Sequence, residues 1–187
     1  MGGRRIARRT RRRDAGSRHL NGETIALRRL EDTPTDVEVG RAIVREYVVA
    51  TAEEQTEPGQ PSALEAILPH IPDWDDFAGR FLHSGGAFVV ATVDDALAGC
   101  VGVTPLDDGV CEMNRLWVRP QFRALGLGWR LATASMDEAR ALGFTRMLLD
   151  VLPKRTGAIA LYHAMGFVEV PPSHEYAFPM VFLGRDL

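Results

Sequence analysis

The residues most capable of chemistry lie in one short turn. Arg123-Ala124-Leu125-Gly126-Leu127-Gly128 sits between an apolar run ending at Val118 and an amphipathic stretch opening near Leu125. Gly126 and Gly128 carry no Cβ, so a ligand can approach the backbone closely there. A helix that starts in this turn presents unpaired N–H groups and the positive end of its dipole, which suit an anion. The turn has the composition needed to hold a pyrophosphate. Other nucleotide motifs fit poorly. No G-x-x-x-x-G-K-[ST] is present, and the third small residue of a dinucleotide fingerprint is replaced by Leu131.

The surrounding pattern says what would position this turn. Thr24–Leu30 alternates as a strand, and the stripe Val37, Ile43, Val44, Tyr47 and Val48 predicts a helix to about Ala52. Glu53–Pro61 reads as a loop, followed by short helices near Ser62–Leu68 and Asp73–Leu82. Ala87–Val93, Leu97–Pro105 and Val110–Val118 form a meander of strands, antiparallel because their turns are too short to cross over. Leu125–Leu142 is predicted as a helix, with Leu131, Ala132, Ser135, Met136, Ala139 and Leu142 in one arc and Gly143 ending it. Arg146–Leu152 then returns as a strand parallel to Val110–Val118. A helix near Thr156–Met165 and strands near Phe167–Val170 and Tyr176–Leu183 complete an α+β fold: a mixed, mostly antiparallel central sheet flanked by helices.

With its full spacing, Leu116-Trp117-Val118-Arg119-Pro120-Gln121-Phe122-Arg123-Ala124-Leu125-Gly126-Leu127-Gly128 resembles the acetyl-CoA signature of the GNAT N-acetyltransferase superfamily. Ala158-Ile159-Ala160-Leu161-Tyr162-His163-Ala164-Met165-Gly166-Phe167 resembles the family's A-x-x-L-Y-x-x-x-G-F segment. The likeness spans about Glu23 to Leu187. It implies acetyl-CoA as co-substrate and direct acetyl transfer to a primary amine of a small molecule or peptide, with no metal. By the same likeness the backbone of Leu116, Trp117 and Val118 pairs with the pantetheine arm. The amides of Arg123, Ala124, Leu125, Gly126, Leu127 and Gly128 hold the pyrophosphate, and Tyr162 protonates the departing thiolate. Two positions depart from the family pattern: Arg155 stands where Asn is frequent, and Ala124 where Gly is frequent.

An amine acceptor must lose a proton, so a base is needed. On a regular two-residue period Glu112, Asn114, Leu116 and Val118 share one strand face, and Cys111, Met113, Arg115 and Trp117 the other. Glu112 then lies roughly 13 Å along the strand from Leu116 and is the candidate base, a structural ion pair with an arginine being the alternative. Asp73-Trp74-Asp75-Asp76 reads first as capping and first-turn charge, and otherwise as carboxylates at the acceptor's mouth. His83, His163 and His174 read as isolated, although His174-Glu175 could face substrate. Trp129 reads as packing, with stacking on the CoA adenine as the alternative.

Composition bounds the rest. The 187 residues suit one domain, 45% hydrophobic and 25% charged. Residues 1–18 carry eight arginines against Asp14 alone, +7, which leaves −10 for the remainder of a chain whose total is −3. Residues 1–20 are therefore read as a basic, disordered tail on a domain at 23–187, with nucleic-acid contact through the tail as the minor alternative. No apolar run is long enough to span a membrane. Cys100 and Cys111 in apolar strands suggest buried thiols and a reducing cytoplasm. A homodimer, and a CoA-binding module without catalysis, are left open.

Overall fold

The computed structural model describes residues 18–20, 22–56, 59–60, 62–64, 68, 71, 75–174 and 179–187. Eight strands form one sheet: β1 (Arg18–Leu20), β2 (Glu23–Arg29), β3 (Ala87–Val93), β4 (Ala96–Asp107), β5 (Val110–Val118), β6 (Arg146–Val151), β7 (Val168–Glu169) and β8 (Val181–Asp186), in the order β1-β2-β3-β4-β5-β6-β8-β7. Each neighbouring pair is antiparallel except β5–β6, which is parallel. The α+β expectation holds. So does the parallel return through the helix that follows β5.

The meander forms where its turns demand. Asp94 and Asp95 both take positive φ, 46° and 65°, the conformation a two-residue hairpin needs. Gly109 does the same for the next turn, at φ 73°. Helix α1 (Pro34–Gln55) begins at Thr33, whose hydroxyl accepts from the Asp36 amide, with Pro34 at its first position. Asp36 in turn receives two bonds from Arg28 of β2, at 2.8 and 2.9 Å, clamping helix to sheet. Helix α1 runs three residues into the segment expected as loop. Thr56 ends it, its hydroxyl donating to the Ala52 carbonyl.

Helix α2 (Leu127–Ala141) buries the expected arc of Leu131, Ala132, Ser135, Met136 and Ala139, and α3 (Thr156–Ala164) follows β6. Gly143 and Gly166 close these helices in the left-handed region, at φ 94° and 86°. Two apolar clusters flank the sheet. One joins β3–β6 and β8 to α2 and α3; the other joins α1 to Phe77, Phe81 and Phe88. Those three rings meet at centroid distances of 4.8–5.2 Å. Phe81 belongs to a short π-helical turn, Gly79–His83. This turn approaches the sheet because β4 carries Gly102, where a Cβ would lie 2.4 Å from the Phe81 ring and 2.6 Å from the Asn114 amide oxygen. Residues 1–17, Asp73, Trp74 and much of the predicted 62–68 helix lie outside the described residues.

Candidate active site

The site begins with a break in β5. Cys100 pairs with Trp117 and Gly102 with Asn114, so two residues of β5, Arg115 and Leu116, oppose only Val101 of β4. Arg115 takes φ 54°, uncommon for a residue with a side chain. The bulge reverses the phase of the strand, and the expected grouping of its side chains is corrected here. Leu116 and Val118 pack with Cys111 and Met113 on the α2 side, whereas Trp117 packs on the α1 side. Glu112 and Asn114 therefore do not share a face with Leu116 and Val118.

The bulge has a second consequence. β5 pairs with β6 only through Val110, Cys111 and Glu112 against Arg146, Met147 and Leu148. Beyond that point the two strands part, while Leu149, Asp150 and Val151 stay paired to β8. A cleft of about 80 Å³ fills the gap, with Tyr47, Asn114, Leu116, Asp150, Arg155 and Tyr162 among its walls. One edge of β5 from Met113 onward is left without a strand partner.

Below the cleft, α2 starts at Gly126, which caps it in the left-handed region at φ 70° and offers no side-chain bond. The first backbone bond of the helix runs from the Arg130 N–H to the Gly126 carbonyl, 3.2 Å, so Leu127, Gly128 and Trp129 have no acceptor within the helix. A Cβ at Gly128 would meet nothing closer than Leu161 at 3.6 Å, and one at Gly126 nothing within 4 Å. Protein packing does not require glycine at 128. Close approach of a ligand would. Ala124 is also left-handed, at φ 71°. The frequent glycine of this position is thus replaced by a residue that strains the turn. Arg123, exposed, donates back to the Val118 carbonyl at 3.3 Å, and Leu125 is half-buried beside the core. Trp129 is 47% exposed, so the packing reading is corrected: the indole lies on the surface at the helix start.

Glu112 is buried, at 7% exposure. Its carboxylate accepts from Asn114 Nδ2 at 3.3 Å and lies 3.9 Å from an Arg80 nitrogen. Asp150 and His174 each bring a side-chain donor or acceptor atom into the same cluster, all within 4.8 Å of one another. His174 Nε2 is 3.5 Å from Asp150. Burial first, and the neighbouring Asp150 charge second, raise the Glu112 pKa above the ordinary carboxylate value, against the pull of Asn114, His174 and Arg80. Tyr162, also buried, is driven upward by burial above all and keeps its proton. The Cys111 thiol is pushed up to about 12, by burial first and then by Glu112.

Of His83, His163 and His174, only His174 reaches the site. His83 pairs with Asp32 at 2.9 Å, and His163 faces the Phe167 carbonyl at 3.0 Å. Asp76 performs the capping role, accepting from the Gly79 amide at 2.9 Å, while Glu175 lies outside the described residues. Arg155 joins α3 to α1 through Glu54 at 2.8 Å and Thr51 at 2.9 Å, in addition to walling the cleft. As site residues, Tyr47, Asp150 and Arg80 escaped the sequence reading, whereas Arg155 was noted there as a departure from the family pattern. Asp150 could have been suspected from its lone charge inside the apolar run Met147–Leu152. The others come from elements whose approach to the cleft no local pattern encodes.

Residues 47–167 match the acetyltransferase (GNAT) family model. An uncharacterized N-acetyltransferase of Schizosaccharomyces pombe is 38% identical over 157 residues, 81% of this chain and 88% of that protein. Among solved structures, an acetyltransferase from Streptococcus agalactiae superposes with a TM-score of 0.67 at 19% identity, over 87% of this chain and 98% of that one. An N-acetyltransferase of Thermoplasma acidophilum in complex with coenzyme A also gives 0.67, at 16% identity, over 87% and 99%.

Relieving the left-handed alanine tests the geometry of the turn. Ala124→Gly should raise stability by a few tenths to about 1 kcal/mol, the relief of αL strain outweighing the added unfolded-state entropy. Chemical denaturation measures it, and a loss of stability would place Ala124 elsewhere.

Proposed function

The chain belongs to the acetyltransferase (GNAT) family and is an acyltransferase, and on that premise we propose that it moves an acetyl group from acetyl-CoA directly to a primary amine. The observation that carries this reading is the juxtaposition of three features: an unpaired β5 edge, a helix start with free amides, and a buried carboxylate beside the gap. They suit the two ends of a CoA molecule. The amides of Leu127, Gly128 and Trp129, with the turn from Arg123 to Gly126, would hold the pyrophosphate. The β5 backbone around Leu116, Trp117 and Val118 would pair with the pantetheine arm as an added strand. Bound there, acetyl-CoA supplies an activated thioester.

The residues of the chain then handle the protons. Glu112 takes the proton from the acceptor amine as the N–C bond forms, and its raised pKa brings it nearer to working pH than a surface carboxylate. Tyr162 gives a proton to the sulfur as the C–S bond breaks. Its place in the cleft wall and its upward shift keep that proton in store. Neither cysteine is suited to an acyl-enzyme, since both are buried and Cys111 is held as the thiol. In this reading the catalytic unit is the sheet domain; the expected tail at residues 1–20 is corrected at its end, where Arg18–Leu20 pairs with β2 as the edge strand β1. No helix among the described residues is long and apolar enough to cross a membrane. Buried thiols fit a cytoplasmic setting.

Gly128→Leu should weaken acetyl-CoA binding at least about tenfold, roughly 1.4 kcal/mol, in a chain that still folds, because the space a side chain would occupy is the ligand's. Calorimetric titration decides it, and undiminished affinity would remove the basis of the reading. For the base, kcat/KM should fall as pH drops through the raised pKa of Glu112, above the usual carboxylate range. Glu112→Gln should lower kcat about 10²- to 10⁴-fold and abolish that acid limb. Retention of the limb in the variant would assign it to another group.

A further inference from the structure

Three segments distant in sequence bring together side chains with the chemistry of metal ligands. Glu112 of β5, Asp150 of β6 and His174, between β7 and β8, each present one donor atom, and these atoms lie within 4.8 Å of one another. Two carboxylates and one imidazole make a mixed oxygen–nitrogen set. Such a set suits zinc and the neighbouring divalent transition metals better than calcium or magnesium. Bonds of about 2.0–2.2 Å to a tetrahedral ion place its ligand atoms roughly 3.4 Å apart. His174 Nε2 already stands 3.5 Å from Asp150 Oδ2. The cluster needs to contract by on the order of 1 Å at its widest. The His174 side chain, 39% exposed, has room to do so.

The surroundings hold these groups as ligands are held. Metal-bound histidines keep the other ring nitrogen on a hydrogen-bond partner, and metal-bound carboxylates are themselves bonded. His174 Nδ1 lies 3.0 Å from the Ser173 hydroxyl, which lets Nδ1 carry the proton and leaves the Nε2 lone pair for an ion. The Phe182 ring meets the imidazole edge-on, 5.5 Å between centroids. Asn114 donates to Glu112 at 3.3 Å, and Arg80 stays with the same carboxylate at 3.9 Å. Both contacts fall on Oε2, so the carboxylate can meet an ion through Oε1. Arg80 opposes a cation. With both acids ionised and His174 neutral, however, the two carboxylates outweigh it, and an ion between them relieves their repulsion.

We propose that Glu112, Asp150 and His174 form a site for a divalent transition metal of the zinc class, whose occupancy switches acetyl transfer off. The site stands on the geometry; the switch rests on the reading of Glu112 as the base. The ion takes the carboxylate lone pair that would receive the amine proton. Three protein ligands leave a fourth position for water. The proposed transfer uses no metal, so the ion is a reversible inhibitor and not a cofactor.

Calorimetric titration of the full, chelator-treated chain with Zn²⁺, paired with the visible spectrum of its Co²⁺ form, tests the site. One ion per chain should bind, and His174→Ala and Asp150→Asn should each weaken it at least about tenfold. The Co²⁺ bands should fade in both variants, whereas His83→Ala, which removes the exposed His83–Asp32 pair, should keep them. Absent binding, or binding undiminished in either folded variant, would overturn the site and leave amine acetylation intact. Loss in His83→Ala would mark adventitious surface binding and overturn it as well. Acetylation of a panel of primary amines, followed by product mass, tests the switch. Saturating Zn²⁺ should lower it at least about tenfold, and EDTA should restore it. His174→Ala, taken against its own metal-free rate, should resist the ion. Binding at this site with undiminished acetylation would overturn the switch. A metal-free chain that binds acetyl-CoA yet acetylates none of the panel fails the proposed transfer and the switch together, and the cobalt spectrum then judges the site alone.

Discussion

One extra residue in β5 governs the site. Were the Arg115–Leu116 bulge absent, β5 would have no local cause to change phase or to part from β6 after Glu112. The sheet would run closed from β1 to β7. Parting the strands is costly, because backbone groups that a neighbour would have bonded are left for water or a ligand to satisfy. The surrounding structure holds the break open. Arg119, just past the strand, grips Glu46 of α1 at 2.8 Å and fixes one side. β8 pairs with β6 through Val151 and fixes the other. Arg115 itself lies over the Tyr47 ring, 5.5 Å from its centroid, and brings α1 to the cleft.

Electrostatics follows from that opening. Glu112 is the last β5 residue paired with β6, so it is buried by the sheet and still adjoins the gap. Asp150 sits two residues beyond Leu148, the last β6 residue paired with β5, and faces the same gap. Two carboxylates so close cannot both ionise at no cost, and together with burial this lifts Glu112. Arg80 and His174 moderate the repulsion and leave a carboxylate poised to accept a proton. Tyr162 on the cleft wall is raised by burial and stays protonated. The base and the acid of the proposed transfer would both owe their protonation states to this one opening.

The local pattern was enough for most elements and for the turn, but not for β1, which falls in the segment read as tail, nor for the π-helical turn Gly79–His83. The strands 87–93 and 110–118 come out with the bounds read from their periodicity, because Asp94-Asp95 and Gly109 set the turns between them. Gly126 was legible as a special position, since its type answers to a backbone angle. The arrangement of the site was not. A bulge leaves no mark in a strand whose residues all favour extended structure, so a regular two-residue period placed Glu112 with Leu116, and the fold separates them. Arg80 and Tyr47 come from segments far away in sequence. Their approach depends on packing around Phe81 and on Gly102, a glycine whose role is visible only when the ring above it is known.

The claim beneath all of this is that the unpaired edge of β5 is completed by a bound ligand acting as a further strand. Amide hydrogen exchange, followed residue by residue with and without acetyl-CoA, tests it most directly. Binding should slow exchange at amides of the Met113–Val118 segment and at Leu127, Gly128 and Trp129, while β2 and β3 stay as they were. Saturation with acetyl-CoA that leaves the β5 amides exchanging at their free rate would contradict the account.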